Sequence, residues 1–285
     1  MKKQLKLLSL FVMGYFSLFA FASFPGKGVK IPSSEAVVVQ GEDLKNSEMV
    51  SLIFKGIKNG RIVSLTFDHV YMSDYFVDRF IDALEGNTSL HVLCLSDCKV
   101  TGDSICQFGI LRELRLEELC LINLSQGKAG EAVVDCATEV LKESKTLKKL
   151  CLRGNGIKDM QKFSEALKEN DHLCELDLSD NEIGDNGLIY ISKALVTNSH
   201  LTRLNLIRNY IGNINMGYIA RVLRKNSTLQ ELLLHENAID DIGMIPILSA
   251  LHENTTLRIL GISRTNVTVG KAGEIWRARP DLRLL

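Results

Sequence analysis

Three of the seven cysteines stand in the same local setting. Cys94, Cys120 and Cys151 each lie between two leucines, in the triplets 93–95, 119–121 and 150–152. In an extended strand alternate residues share a face, so each thiol points away from its flanking leucines. Neighbouring strands lie ~4.8 Å apart, which would set the three thiols in a row. Such a row could support redox chemistry or hold a soft metal, although any disulfide leaves one thiol over. The other reading is a patch of small surface residues. It is the favoured one, because no histidine or carboxylate completes a familiar ligand set. Cys98, Cys106 and Cys136 read as packed small hydrophobes, and Cys174 lies beside a strand. His91, Cys94, Cys98 and Cys106 imitate a zinc cluster in spacing. Their repeat positions send them to different surroundings, so they cannot converge on one ion.

A second constellation is ionic. Glu118, Lys149, Glu175, Arg203 and Glu231 alternate in sign at one repeat position. Opposite charges on adjacent strands stabilise each other by roughly 0.2–1 kcal/mol per pair, so the row can serve the fold alone. It can equally be a recognition surface. Lys149, Arg153, Asp177, Arg203, Arg208, His235 and Glu236 are the candidate partner-binding residues, at outward strand positions or the adjoining turn. No catalytic set appears: there is no G-x-S-x-G, no G-x-x-x-x-G-K-[S/T] and no H-E-x-x-H. The sequence therefore predicts no enzyme, no cofactor and no metal requirement. The N-x-[S/T] matches at Asn87, Asn226 and Asn254 fall on a structural column described below and read as by-products of it.

What must position these residues is a repeat. The pattern L-x-x-L-x-L-x-x-N starts at Ile62, Leu90, Leu116, Leu147, Leu173, Leu201, Leu229 and Leu257. By subtraction the spacings are 28, 26, 31, 26, 28, 28 and 28 residues. A period of this length means one unit stacked in a row, each burying its apolar side on its neighbours. Positions 4 and 6 of each unit face inward, and 3, 5 and 7 outward. Apolar columns such as Leu188/Met216/Met244, Ile191/Ile219/Ile247 and Leu195/Leu223/Leu251 mark a helix in the second half of each unit. Cys106 aligns with the Ile191 column. Asn87, Asn170, Asn198, Asn226 and Asn254 precede ladder leucines by three residues, where a left-handed helix end would favour asparagine. Asn155, Asn181, Asn209 and Asn237 at position 9 are read as buried and bonding the backbone of adjacent coils. Cys98 and Leu124 replace that asparagine in two units.

The full unit, clearest over 171–257, reads L-x-x-L-x-L-x-x-N-x-I-G-D-x-G, a helix, then A-L-x-x-N-x-x-L. It resembles the ribonuclease-inhibitor-like class of leucine-rich repeats, also found in NOD-like receptors. The resemblance covers about residues 34–285. It implies an α/β leucine-rich-repeat solenoid, a curved arc with parallel strands on the concave side and helices on the convex side. It further implies a protein partner, usually on the concave face, and transfers no ligand, since members share a scaffold and not a site. The Ran GTPase-activating protein shares the repeat class, so activation of a GTPase is an alternative, although no motif for it is matched here. A redox or metal-responsive role of Cys94, Cys120 and Cys151 is another.

Lys2, Lys3 and Lys6 precede an apolar run from Leu7 to Ala22 that ends in Ala20-Phe21-Ala22. This is the layout of a secretory signal peptide. The expected organisation is a signal peptide over 1–22, a leader over 23–33 and a repeat domain over 34–285. Within that domain a divergent N-terminal cap occupies 34–61, placing Val37, Val39 and Leu44 inward, and a C-terminal cap occupies about 268–285. The layout also resembles exported leucine-rich-repeat proteins of host-associated bacteria. The expectation is a monomer, periplasmic or secreted, with delivery to a host cell as one route, and no stable membrane insertion after cleavage. Lys plus Arg and Asp plus Glu are each 34, so nothing in the charge favours nucleic acid. Deleting residues 1–22 is expected to leave a folded chain, because the first core layer begins near Val37. Aggregation of the truncated protein alone, seen by size-exclusion chromatography, would assign the apolar run to the fold.

Overall fold

The computed structural model describes residues 35–41, 47–124 and 129–285. The signal-peptide and leader residues, and Leu44 of the predicted cap, lie outside the described residues. One parallel sheet runs the length of the array in chain order: β1 Glu35–Gln40, β2 Ile62–Asp68, β3 Val92–Ser96, β4 Glu118–Ile122, β5 Lys149–Cys151, β6 Glu175–Asp177, β7 Arg203–Asn205, β8 Glu231–Leu233, β9 Ile259–Gly261 and β10 Arg283–Leu284. Each neighbour pairs in parallel. Parallel neighbours need a crossover, and here helices supply it. They are α1 Ser47–Lys58, α2 Asp74–Leu84, α3 Gly102–Gln107, α4 Gly130–Glu143, α5 Gln161–Glu169, α6 Gly184–Leu195, α7 Met216–Lys225, α8 Asp241–Leu251 and α9 Val269–Ala278.

The core is one continuous apolar layer between sheet and helices. Leu65, Leu93, Leu119, Leu150, Leu176, Leu204, Leu232 and Leu260 follow each other in strand register and are buried. The helix columns face them: Leu188, Met216, Met244, Ile191, Ile219 and Ile247 are all buried. Near the N-terminal end aromatic rings do this work. Phe67 and Phe80 meet edge to face at 5.3 Å, and Phe108 adds to Phe80 at 6.4 Å.

One column departs from expectation. Cys106 is exposed, not packed, and Ile105 is buried in its place. The unit from Leu90 has 26 residues, and its helix half is split into the short α3 and a 3-10 turn over Phe108–Glu113. A 3-10 segment advances about 3.0 residues per turn instead of 3.6, so a column counted at α-helical spacing slips by one.

The asparagine column before each ladder leucine has a different cause from the one the sequence suggested. Asn170 and Asn226 have φ of −75° and −83° with ψ near 130°, which is extended backbone. Their side chains bond in both directions. The Asn226 amide donates to the carbonyls of Leu195 (2.7 Å) and Asn198 (2.8 Å), and its oxygen accepts from the N–H groups of Thr228 and Leu229. Asn198 repeats the pattern on Leu167 and Asn170. The left-handed residues instead occupy position 8, where the strand ends. His69, Asp97, Asn123, Gly154, Asp180, Arg208, Glu236 and Arg264 all have φ between 49° and 73°.

The array ends on a variation of that column. Leu282 is buried where a further ladder leucine would stand, three residues after Arg279. The Arg279 guanidinium, almost buried, donates to the carbonyls of Asn254 and, at 3.0 Å, Leu257. Asp281 pairs with it at 2.7 Å, and that hydrogen bond draws the Asp281 carboxyl down to about 2.

Two outcomes test this register. Leu204→Asp puts a charge between Leu176 and Leu232. It should cost several kcal/mol and unfold much of the array, since a buried charge without a partner is not tolerated. Unchanged circular dichroism and melting would contradict the inward assignment. Arg279→Ala should cost about 2 kcal/mol by removing the donors to two buried carbonyls. Amide exchange would show it first at residues 282–285, with the middle of the array little affected.

Candidate functional site

The seven candidate partner-binding residues come from four consecutive units and line one groove of about 590 Å³ on the strand face. Strand alternation places them there. Leu176 faces the core, so Glu175 and Asp177 on either side face out, and the same holds for Arg203 and Asn205 around Leu204. Arg153 and His235 follow at position 7, and Arg208 and Glu236 at the left-handed position 8.

Two charge ladders cross the groove. At position 3, Lys149 reaches Glu175 at 3.5 Å, and Arg203 bridges Glu175 (3.3 Å) and Glu231 (2.8 Å). At the strand ends, Arg153 pairs with Asp180 at 2.7 Å. Arg208 bridges Asp180 (3.3 Å) and Glu236 (2.6 Å), and Arg264 joins Glu236 at 3.1 Å. The hydrogen bond from Arg208 holds the Glu236 carboxyl below its ordinary range, and Glu236 in turn raises the Arg208 guanidinium. These groups are open or partly open to solvent, so screening keeps the contribution of each pair to stability small. Sequence reasoning missed Asp180 and Arg264. The available signal was the alternation Asp180-Arg208-Glu236-Arg264 at position 8.

His235 is oriented by its neighbours. The Ser263 N–H donates to His235 Nδ1 at 2.9 Å, which leaves Nδ1 as an acceptor and the proton on Nε2. The ring lies against the bare Cα of Gly261, where an added Cβ would stand only 2.2 Å from Nε2. Burial lowers the His235 pKa from its ordinary value, which favours the neutral ring. The groove floor is apolar in part, with Ile122, Ile207 and Leu233 among its lining.

The thiol row is present, but it is not a patch of surface residues. Cys94, Cys120 and Cys151 are direct register partners on β3, β4 and β5. Cys120 and Cys151 are only 3% and 4% exposed, and Cys94 is half-buried. Hydrogen bonds to Cys151 and then Cys94, followed by burial, push the Cys120 thiol well above its usual value. A carboxylate does stand near, since the Cys120 thiol donates to Glu118 Oε1 at 3.8 Å. Cys98 fills the position-9 role of asparagine by donating to the carbonyls of Phe67 and Ser96, and burial drives it up to about 12. Elsewhere among the described residues, Asp68, His69 and Asp97 bring potential ligand atoms within 4.8 Å of one another at the other end of the strand face. His69 Nδ1 is already engaged with Asp68.

The model of the family described as Leucine Rich repeat matches residues 169–192 and 225–248. Each match runs from one helix end across a strand and into the next helix. No curated protein matches the chain. Among solved structures, actin-binding site 2 of leiomodin-1 is similar at 29% identity with a TM-score of 0.40, over 43% of this chain and 70% of that one. The two repeat matches and ten consecutive parallel strands among the described residues make this chain a leucine-rich-repeat solenoid.

Proposed function

We propose that this protein is a non-enzymatic interaction module that binds a protein partner across the groove on its concave strand face. One observation carries the reading. Arg208, Glu236 and Arg264 hold left-handed backbone, with φ of 53° to 55°, at a position where glycine, asparagine or aspartate would fit with less strain. The repeat turn holds position 8 left-handed in every unit, and among the groove-lining residues it is charged side chains that occupy it. Here the strained residues carry the charges that line the groove. The repeat unit supports the ribonuclease-inhibitor-like class, whose members use this face. Residues 1–22 support export of the chain, with a mature N-terminus at Ser23, and delivery to a host cell is the finer form of that proposal. The zero net charge supports a protein partner over nucleic acid. Among the described residues no helix is long and apolar enough to cross a membrane.

The test inverts the charge ladder as a unit. Reversing Arg153 and Arg203 alone would break ion pairs as well as change the surface. Glu175→Lys with Arg203→Glu restores only their own contact, since position 175 then repels Lys149 and position 203 repels Glu231. Inverting Glu118, Lys149, Glu175, Arg203 and Glu231 together keeps the alternation and reverses what a partner meets. Stability should then change by about 1 kcal/mol or less, while partner affinity falls roughly 10–100-fold. Glu165→Lys with Arg221→Glu, exposed on α5 and α7, is the convex control and should bind normally. Loss of partner in the convex variant with full capture by the inverted ladder would overturn the proposal.

A further inference from the structure

We propose that the Cys94-Cys120-Cys151 row is a binding site for a soft, monovalent d10 metal ion of the Cu(I) type. Cys120 is the central ligand, Cys151 the second, and Cys94 the alternative second ligand. The site shares its groove with the partner-binding charges, but its ligands are thiols alone and it does not rest on the proposed function.

Register is the first argument. The three residues are direct Cα partners on adjacent parallel strands, which sets their side chains side by side on one face. Occlusion is the second. The same position holds Asp177 and Asn205 further along, both half-exposed, so the fold does not require burial there. At Cys120 and Cys151 the sulfurs are nonetheless withdrawn from solvent.

Geometry selects the ion. A disulfide between two neighbours is within reach of the ~4.8 Å strand spacing but leaves one thiol of the three over. A two-coordinate ion needs only two sulfurs, and adjacent in-register strands supply such a pair. Thiolate ligands favour Cu(I) over hard cations, which take oxygen. Zinc needs four ligands around it, and a straight row on one sheet face cannot surround an ion. Binding releases two thiol protons to solvent and leaves one negative charge on the bis-thiolate unit. Lys149 and Arg153 stand two residues before and after Cys151, and both line the groove that Cys151 lines. They are placed to offset that charge.

The experiment uses the full-length reduced chain under anaerobic conditions. Cu(I), supplied as its acetonitrile complex, is titrated in competition with the chelator bathocuproine disulfonate. One ion per chain should bind, and an equal concentration of Zn²⁺ should not displace it. Cys120→Ser should weaken binding roughly a hundredfold or more. Cys94→Ser should change it little, and Cys106→Ser, an exposed helix thiol, not at all. X-ray absorption at the copper edge reads the native site without any variant and should show two sulfur ligands. Unchanged affinity in a folded Cys120→Ser protein would overturn the proposal. So would nitrogen or oxygen ligands, a third sulfur, or equal loss of binding in Cys106→Ser.

Discussion

Everything in this solenoid depends on satisfying the backbone groups that the turns leave unpaired inside it. A parallel sheet with a helix return must make a sharp turn after every strand, and the turn brings N–H and C=O groups out of water with no ladder partner. The buried carboxamide at position 9 solves this. Asn237 donates to the carbonyls of Leu206 and Leu234 and accepts from the N–H groups of Asn209 and Ile211. Asn181 does the same with Leu152, Leu178, Asn155 and Ile157. Because each amide bridges its own turn and the previous one, the asparagines fix the stacking distance between coils as well as the turn. The second column, at the other end of the strand, does so from Asn87 to Asn254.

That constraint shapes the functional face. The turn residue at position 8 has positive φ in each of the eight units, both where the buried asparagine follows it and where Val70, Cys98, Leu124 or Thr265 does. Where the residue is Asp97, Asn123 or Gly154 the strain is small. Where it is Arg208, Glu236 or Arg264 the strain is greater, and ion pairs from coil to coil hold the side chains in line. The charges at that edge are therefore set in space by the fold.

Much of the architecture was legible because a leucine every 28 residues has a single physical meaning. The faces of the strands followed from alternation alone, and with them the placement of Lys149, Asp177 and Arg203 on one side. The failures have equally specific causes. Cys106 was misplaced because a 3-10 turn changes the angular spacing that the column count assumes. The asparagine before each leucine was credited to a left-handed helix end, since its true partners, carbonyls about 30 residues away, are invisible locally. Arg279 was missed because nothing in a sequence distinguishes an arginine that replaces an asparagine from any surface arginine. For Cys120 and Cys151, alternation correctly gave the face. It could not give the depth, which depends on how neighbouring side chains close over the sulfurs.

A solenoid also separates its chemistry along its length. The same outward position, read from β2 to β9, runs Thr66, Cys94, Cys120, Cys151, Asp177, Asn205, Leu233 and Gly261. Each coil touches only its neighbours, so a change of residue type in one segment need not disturb another. Thiols occupy three consecutive coils, carboxylate and amide the next two, and the last two narrow to a leucine and a glycine that admits the His235 ring. In a globular core such a progression would have to converge on one centre. Here it is laid out in line, so that Cys120 and Cys151 line the same groove as the charges of the coils that follow them.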